Sequence, residues 1–164
     1  MAAITFQGNP LHTSGDLPTV GSKAPDFILV NSKLQDISLA NYPGKKKVLN
    51  IVPSLDTPTC AASTRKFNEK ATGLDNTVVL VISADLPFAQ CRFCEVEGLK
   101  DVIALSTFRS TFANDYGVTL TDTILAGLTA RAIVIIDEHD TVIYTQLVAE
   151  LANEPDYDSA LVAL

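Results

Sequence analysis

The sequence lacks any extended block of lysine and arginine, and its densest basic stretch is only Lys45–Lys47. It contains 12 Lys and Arg residues against 19 Asp and Glu residues, which gives a formal net charge of −7 at pH 7. A surface that follows a phosphate backbone needs clustered positive charge. The composition therefore argues against nucleic acid as a partner.

Long apolar segments are also missing. The N-terminus has neither the basic start nor the apolar stretch of a secretory signal, and no later segment approaches the length of a membrane span. We therefore expect a soluble chain in the cytoplasm that does not associate with membranes. With 164 residues, 47% of them hydrophobic, and no break in composition, we expect a single domain over residues 1–164.

Cysteine is scarce, and the three cysteines are Cys60, Cys91 and Cys94. An odd number of thiols without a secretory signal does not suggest a structural disulfide framework, because reducing compartments keep thiols reduced. Any disulfide in this chain should be transient. A buried, inert core thiol remains an alternative for Cys60 considered alone.

The most informative stretch runs from a β-branched segment, Val48–Val52, through Pro53 to Cys60. The segment predicts a buried strand that ends at the proline. Thr57 followed by Pro58 predicts a helix N-cap with proline at the first helical position, which puts Cys60 in the first turn. Free backbone N–H groups and the helix dipole favour negative charge there, so the thiol has a reason to ionise and act as a nucleophile.

The rest of the chain alternates between strand and helix patterns. We predict an N-terminal hairpin with its turn at Gly8–Pro10, a buried strand at 77–82, a helix at 88–97 that stops at Gly98, a short strand at 102–105, a short helix at 109–116, a hairpin over 131–148 and a C-terminal helix. This order predicts an α/β fold with a mixed central sheet flanked by helices.

Several motifs resemble those of one family. Pro53, Thr57 and Cys60 fit the Pro-x-x-x-Thr-x-x-Cys pattern of peroxiredoxins, and the stretches 83–90, 92–94, 97–98 and 125–131 resemble the bacterial thiol peroxidase branch. The resemblance extends from the N-terminal hairpin to residues 153–157. It implies a thioredoxin-like fold and an atypical two-cysteine peroxidase.

The resemblance implies a role for two of the cysteines. Cys60 would reduce hydrogen peroxide or an alkyl hydroperoxide and become a sulfenic acid, and Cys94 would condense with it to form an intrachain disulfide. Thioredoxin would reduce that disulfide, so the cycle would need neither a metal nor a bound cofactor. The resemblance also implies a homodimer.

Three further residues have a physical reason to take part. The Thr57 hydroxyl could hold the attacked oxygen, and Arg131 could offer fixed donors to the thiolate and to the charge that builds on the peroxide. Pro53 would keep water from the sulfur. The alternatives are that Thr57 is only a helix cap and that Arg131 is an edge-strand charge with a surface partner.

Cys91 departs from the family pattern and creates a Cys91-x-x-Cys94 motif. Three interpretations compete: an inert thiol, which the sequence alone favours, a second disulfide with Cys94, or half of a zinc site. Zinc would need two more ligands, and only Cys60, His12 and His139 are available as nitrogen or sulfur donors.

The implied disulfide sets a limit on the distance between Cys60 and Cys94. Cys60 and Cys94 lie on different predicted helices, whereas a disulfide needs their Cα atoms within about 7 Å. We therefore predict that a helical segment unwinds locally, with residues 87–97 as the candidate.

Three rival functions remain. A cysteine protease would need His12 or His139 beside Cys60, and neither is close in sequence. A thiol–disulfide oxidoreductase could use Cys91 and Cys94, but such enzymes usually carry their dithiol on the helix that Cys60 occupies here. A non-enzymatic binding module would leave the Pro53, Thr57 and Cys60 pattern unexplained.

Overall fold

The computed structural model describes residues 1–70 and 72–164 in full, and Ala71 only as part of a helix. The strands are β1 (Ala3–Phe6), β2 (Asn9–His12), β3 (Leu29–Val30), β4 (Asp36–Ile37), β5 (Lys46–Ile51), β6 (Thr77–Ser83), β7 (Val102–Ser106), β8 (Ala132–Ile136) and β9 (Val142–Leu147). The α-helices are α1 (Pro58–Ala71), α2 (Pro87–Glu97), α3 (Phe112–Asp115) and α4 (Tyr157–Val162), and a 3-10 turn spans Leu39–Asn41.

Seven strands form one mixed sheet in the order β4-β3-β7-β6-β5-β8-β9, and β1 and β2 form a separate hairpin. Strands β5, β6 and β7 are parallel, whereas β8 runs antiparallel to β5. The predicted mixed sheet flanked by helices, with an N-terminal hairpin, is confirmed.

The central strands carry apolar runs, interrupted in β5 by Lys46, Lys47 and Asn50, because both faces of the sheet are covered. Leu49, Ile51, Leu80 and Ile82 point into one core cluster, and Val48, Val79 and Val81 point into the other. The second cluster also contains Cys60, Phe67 of α1 and Tyr157 of α4. The helix that carries the candidate thiol is therefore fixed on a fully packed sheet face.

The register of β5 and β8 positions the site. Ile51, the last residue of β5, pairs with Ala132, the first residue of β8. Because the two strands are antiparallel, the start of β8 meets the end of β5. Arg131 directly precedes β8. It therefore lies at the end of the strands where the chain leaves β5 and continues to Cys60.

Two local predictions were wrong in detail. The hairpin turn falls at Gln7 and Gly8, which both have positive φ, while Pro10 lies within β2. Positive φ at both turn residues matches the twist of a two-residue hairpin. Helix α3 begins at Phe112 rather than at 109, since Arg109 has a φ of 53° and cannot continue an α-helix.

No helix in the described part of the chain is both long enough and apolar enough to cross a membrane.

Candidate active site

The first turn of α1 is built as its sequence predicts. Thr57 is the N-cap, with an extended backbone, and Pro58 takes the first helical position. The Thr57 hydroxyl oxygen accepts a hydrogen bond from the Cys60 backbone N–H at 3.4 Å and donates to the Ser54 carbonyl at 3.2 Å. The cap satisfies one of the free N–H groups of the helix start and fixes the turn that carries the thiol.

Arg131 faces the sulfur of Cys60. Its Nη1 lies 3.2 Å from Cys60 Sγ, and its Nε donates to the Leu151 carbonyl at 2.9 Å. Cys60 is 0% exposed and Arg131 is 2% exposed. The guanidinium is therefore held from two sides in a buried setting.

This buried cation has no carboxylate partner among the ion pairs of the described residues. A buried charge is strongly destabilising unless an opposite charge or several hydrogen bonds compensate it. Cys60 Sγ is the group in hydrogen-bond contact with Arg131 that can become an anion. A negative charge on this sulfur would compensate the buried guanidinium, and it would also lie at the positive end of α1.

The loop between β5 and α1 is held by one carboxylate. Asp85 accepts hydrogen bonds from Ser54 Oγ and the Leu55 backbone N–H, each at 2.7 Å, and from Ser83 Oγ at 2.7 Å. Pro53 is buried at the start of this loop. The backbone that leads to Thr57 is thus fixed to the end of β6.

A cleft of about 540 Å³ opens beside this turn, between α1 and α2. Thr57, Pro58 and Ala61 of the cysteine turn line it, and Arg92 and Phe93 line it from α2. Cys60 is not among the lining residues. The sulfur is fully buried and lies beneath residues that line the cleft rather than on its surface.

Cys94 does not line the cleft beside the Cys60 turn. It lines a second cleft of about 590 Å³ on the opposite side of α2, together with Cys91 and Glu95. Burial raises the pKa of the Cys94 thiol, and negative charge on Cys91 raises it further. All three cysteines are free thiols. Cys60 and Arg131 are therefore brought together, whereas the helical turn that carries Cys60 and the Cys94 side chain border different clefts.

Cys91 donates a hydrogen bond to Glu95 Oε1 at 3.5 Å, and this contact raises the pKa of the Cys91 thiol. Within the described residues, no group of three or more His, Cys, Asp or Glu side chains could hold a metal ion.

Comparison with known proteins adds the family. The Redoxin family model matches residues 19–161. The chain is 54% identical to "Thiol peroxidase" of Corynebacterium glutamicum and 52% identical to "Thiol peroxidase" of Mycobacterium bovis. Each alignment covers 100% of this chain and 99% of the relative.

The chain belongs to the thiol peroxidase family of redoxins. A solved "peroxiredoxin-like protein from Aquifex aeolicus" has the same fold, with a TM-score of 0.94 and 40% identity. The alignment covers 99% of this chain and 95% of that one. The resemblance stated from the motifs is thereby confirmed.

Several residues that hold the site in place were not predicted from the sequence. Asp85 follows β6, next to the end of β5, and a carboxylate at the common edge of two parallel strands is a signal that could have been used. Leu151 and Ala152 gave no such signal, because they act through their backbone carbonyls. The Leu151 carbonyl accepts from Arg131 Nε, and the Ala152 carbonyl accepts from Thr59 Oγ1 of α1 at 2.9 Å.

Proposed function

We propose that this protein is a thiol-dependent peroxidase that reduces hydrogen peroxide and small alkyl hydroperoxides, with Cys60 as the attacking residue. The contact between Arg131 Nη1 and Cys60 Sγ at 3.2 Å carries the proposal. It supplies a buried cation without a carboxylate partner among the described ion pairs, at the N-terminus of a helix. The thiol peroxidase name of the relatives in Corynebacterium and Mycobacterium supports the same chemistry.

In the first step, the Cys60 thiolate attacks one peroxide oxygen and the O–O bond breaks. The sulfur is oxidised to a sulfenic acid, while the other oxygen leaves with a proton as water or an alcohol. Arg131 stabilises the charge that builds on the leaving oxygen, and the Thr57 hydroxyl turns from the Ser54 carbonyl to the peroxide. Pro53, buried at the start of the loop, limits the access of water to the sulfur.

In the second step, the Cys94 thiol condenses with the sulfenic acid, a disulfide forms and water leaves. Since Cys94 faces a different cleft from the turn of Cys60, α2 has to unwind at least in part before the sulfurs meet. The loop that closes spans 94 − 60 = 34 residues. The chain-entropy model assigns such a loop about 4 kcal/mol of constraint on the unfolded chain, which partly offsets the local melting.

Two structural features of α2, its N-cap and the side chain of Gln90, favour such unwinding. Its N-cap residue, Leu86, provides no side-chain hydrogen bond, in contrast to Thr57 at the start of α1. Gln90, 1% exposed, has a buried side-chain oxygen without a hydrogen-bond partner in the described structure. An uncapped helix end and an unpaired buried acceptor each cost about 1 kcal/mol or more. Both features lower the stability of the helical form of α2.

An exposed ion pair is the main polar link between α2 and α1. Arg65 Nε and Nη2 each donate to a Glu97 carboxylate oxygen at 2.8 Å. Arg65 is 47% exposed and Glu97 27% exposed at the side chain. Solvent screens an exposed pair of this kind, so this link does little to oppose the release of α2.

Reduction of the disulfide completes the cycle, and we assign it to thioredoxin. The peroxide, thioredoxin and a second copy of the chain in a homodimer are the partners we propose, with no nucleic acid among them. A cytoplasmic setting belongs to the proposal because the odd number of cysteines suits a reducing compartment. None of these steps draws on a metal or bound cofactor.

The rival proposal, a thiol–disulfide oxidoreductase that uses Cys91 and Cys94, is not favoured. The pair lies within α2 rather than in the first turn that follows the central strand β5. In the folded helix the contact with Glu95 raises the pKa of the Cys91 thiol and burial raises that of Cys94, and both shifts disfavour the thiolate that an oxidoreductase dithiol uses.

Hydroperoxide consumption, coupled to thioredoxin, its reductase and NADPH, tests the proposal. The Cys60→Ser variant should lose all peroxide-dependent NADPH oxidation. The control is Glu69→Gln, an exposed change on the same helix that should keep wild-type turnover. Activity that survives Cys60→Ser, or that proceeds without peroxide, would overturn the proposal.

A further inference from the structure

Helix α2 presents two different faces. Ala89, Arg92 and Phe93 point into the cleft beside Cys60, whereas Cys91 and Cys94 point into the cleft on the other side. Cys91 and Cys94 are thus one helical turn apart in a common cleft. Cys91, which the family pattern does not explain, lies beside the sulfur that we propose to resolve Cys60.

Spacing alone brings these two sulfurs close. Residues three apart on a helix have Cβ atoms about 5–6 Å apart, whereas a disulfide needs its Cβ atoms about 3.5–4.5 Å apart, so the two residues have to approach by about 1–2 Å. A small local adjustment therefore joins Cys91 and Cys94. Joining Cys60 and Cys94 requires the larger rearrangement of α2 described above.

We propose that Cys91 takes over the oxidation from Cys60 by attacking the Cys94 sulfur of the Cys60–Cys94 disulfide. This step rests on the proposed peroxidase function. The Cys91–Cys94 bond forms, the Cys60–Cys94 bond breaks, and Cys60 leaves as a thiolate. Cys91 releases its proton to solvent, the two oxidising equivalents stay within the chain, and no outside oxidant or reductant takes part.

The surroundings of the three sulfurs set the direction of this exchange. Cys60 leaves into contact with the Arg131 guanidinium and the N-terminus of α1, both of which stabilise a thiolate. Cys91 and Cys94 have raised pKa values, from the contact with Glu95 and from burial respectively. Exchange favours departure of the better-stabilised thiolate and retention of the disulfide between the other two sulfurs.

The unwinding of α2 also makes Cys91 available. Its hydrogen bond to Glu95, four residues on, exists only while this part of α2 is helical. Once the segment unwinds to let Cys94 reach Cys60, the Glu95 carboxylate no longer holds the Cys91 proton. The event that forms the first disulfide therefore prepares the thiol that attacks it.

The transfer of the disulfide from Cys60 to Cys91 changes how accessible the oxidised bond is to the reductant. A Cys91–Cys94 disulfide lies on the rim of an open cleft, with both residues partly exposed. Cys60 is buried beneath the floor of the other cleft. The relay thus moves the oxidised bond to a position that a dithiol protein can reach, while α1 regains its reduced arrangement.

Disulfide mapping tests the relay because trypsin separates the three cysteines. Cleavage after Lys47, Arg65, Lys70, Arg92 and Lys100 puts Cys60 in peptide 48–65, Cys91 in 71–92 and Cys94 in 93–100. The full chain is treated with one equivalent of hydrogen peroxide, sampled over time, blocked with an alkylating agent in acid and digested. We expect the 48–65/93–100 pair first and then its replacement by the 71–92/93–100 pair, in about tenfold excess at the end.

Two variants complete the experiment. Cys91→Ser should stop at the Cys60–Cys94 disulfide, and Cys60→Ser should form no Cys91–Cys94 disulfide in the same period. If the 48–65/93–100 pair remains the main product in the wild type, or if Cys60→Ser forms the Cys91–Cys94 pair as fast, the relay is wrong. If wild type neither consumes peroxide nor forms the first pair, the proposed peroxidase function fails, and the relay fails with it.

Discussion

Arg131 donates from Nε to the backbone carbonyl oxygen of Leu151 at 2.9 Å. This bond fixes the plane of the guanidinium, so that Nη1 points at Cys60 Sγ. Leu151 in turn donates its N–H to the Thr5 carbonyl at 2.8 Å. The N-terminal hairpin therefore supports the segment that orients the cation of the site.

Arg131→Lys should slow the reaction with hydrogen peroxide by about a hundredfold, because a lysine cannot bond Leu151 and Cys60 together in one rigid fork. The second-order rate of peroxide consumption measures the effect, and alkylation of Cys60 at neutral pH should slow as well. Arg109→Lys, an exposed arginine paired with Asp36, is the matched control and should keep the wild-type rate. Equal rates in the two variants would show that Arg131 does not act on the sulfur.

Thr57 has two separable functions in this site. Thr57→Val should lower stability by about 1 kcal/mol through loss of the cap and should also slow peroxide reduction. Thr57→Asn keeps a capping side chain without the hydroxyl, so it should recover the stability but not the rate. Thermal unfolding and peroxide kinetics on the three proteins give both quantities. A fast Thr57→Asn variant would reduce Thr57 to a helix cap.

The Leu86→Ser variant tests the unwinding of α2. A serine at this N-cap should stabilise the helix by about 1 kcal/mol and slow disulfide formation about fivefold, with peroxide attack on Cys60 unchanged. Leu86→Ala removes the same 51% exposed side chain without adding a cap and is the control. Rapid-mixing measurements that separate sulfenic acid formation from disulfide formation give the two rates. Unchanged disulfide kinetics in Leu86→Ser would mean that α2 stays folded during the step.

Cys94→Ser should consume one equivalent of peroxide at the wild-type rate and then stop. With no resolving thiol at this position, Cys60 should accumulate as the sulfenic acid, which a cyclic diketone reagent traps and mass spectrometry identifies. Turnover that depends on thioredoxin should be lost. Continued turnover in this variant would assign the resolving role to another residue.

Glu150 makes the hairpin support dependent on pH. Its carboxylate accepts hydrogen bonds from Thr5 Oγ1 and from the backbone N–H groups of Gln7, Gly8 and Ala152, and these bonds lower its pKa from 4.5 to about 2. Because the pKa is lower in the folded state, the bonds stabilise the fold fully above pH 4.5 and are lost as pH falls towards 2.

Glu150→Gln should therefore lower the thermal midpoint at pH 7 and have little effect near pH 2. Thermal unfolding of both proteins between pH 2 and 7 measures the difference. Glu69→Gln, an exposed glutamate on α1, should show no such pH-dependent difference. A constant gap between wild type and Glu150→Gln at all pH values would contradict the assignment.

The start of α1 shows how far local signals extend. Thr57, Pro58 and Cys60 follow one another closely, and capping, proline geometry and first-turn N–H groups act over one helical turn, so the sequence predicted this part correctly. The stop of α2 at Gly98 is equally local, because a residue with φ of 65° favours glycine. The start of α3 was wrong, since nothing in the sequence marks the positive φ of Arg109.

The sequence by itself determined the cysteine turn, the apolar strands and hence the layered α/β fold, because periodicity and capping depend on neighbours along the chain. Only the tertiary structure decided that Arg131 meets Cys60, that Leu151 and Ala152 fix the guanidinium and α1, and that the sulfur lies beneath the cleft rather than open to it. It also decided that Cys94 and Cys91 share a cleft turned away from Cys60. The contacts of Arg131 with Cys60 and Leu151 and of Ala152 with α1 join residues 20 to 93 positions apart in sequence, and they depend on strand order and packing, which no local pattern encodes.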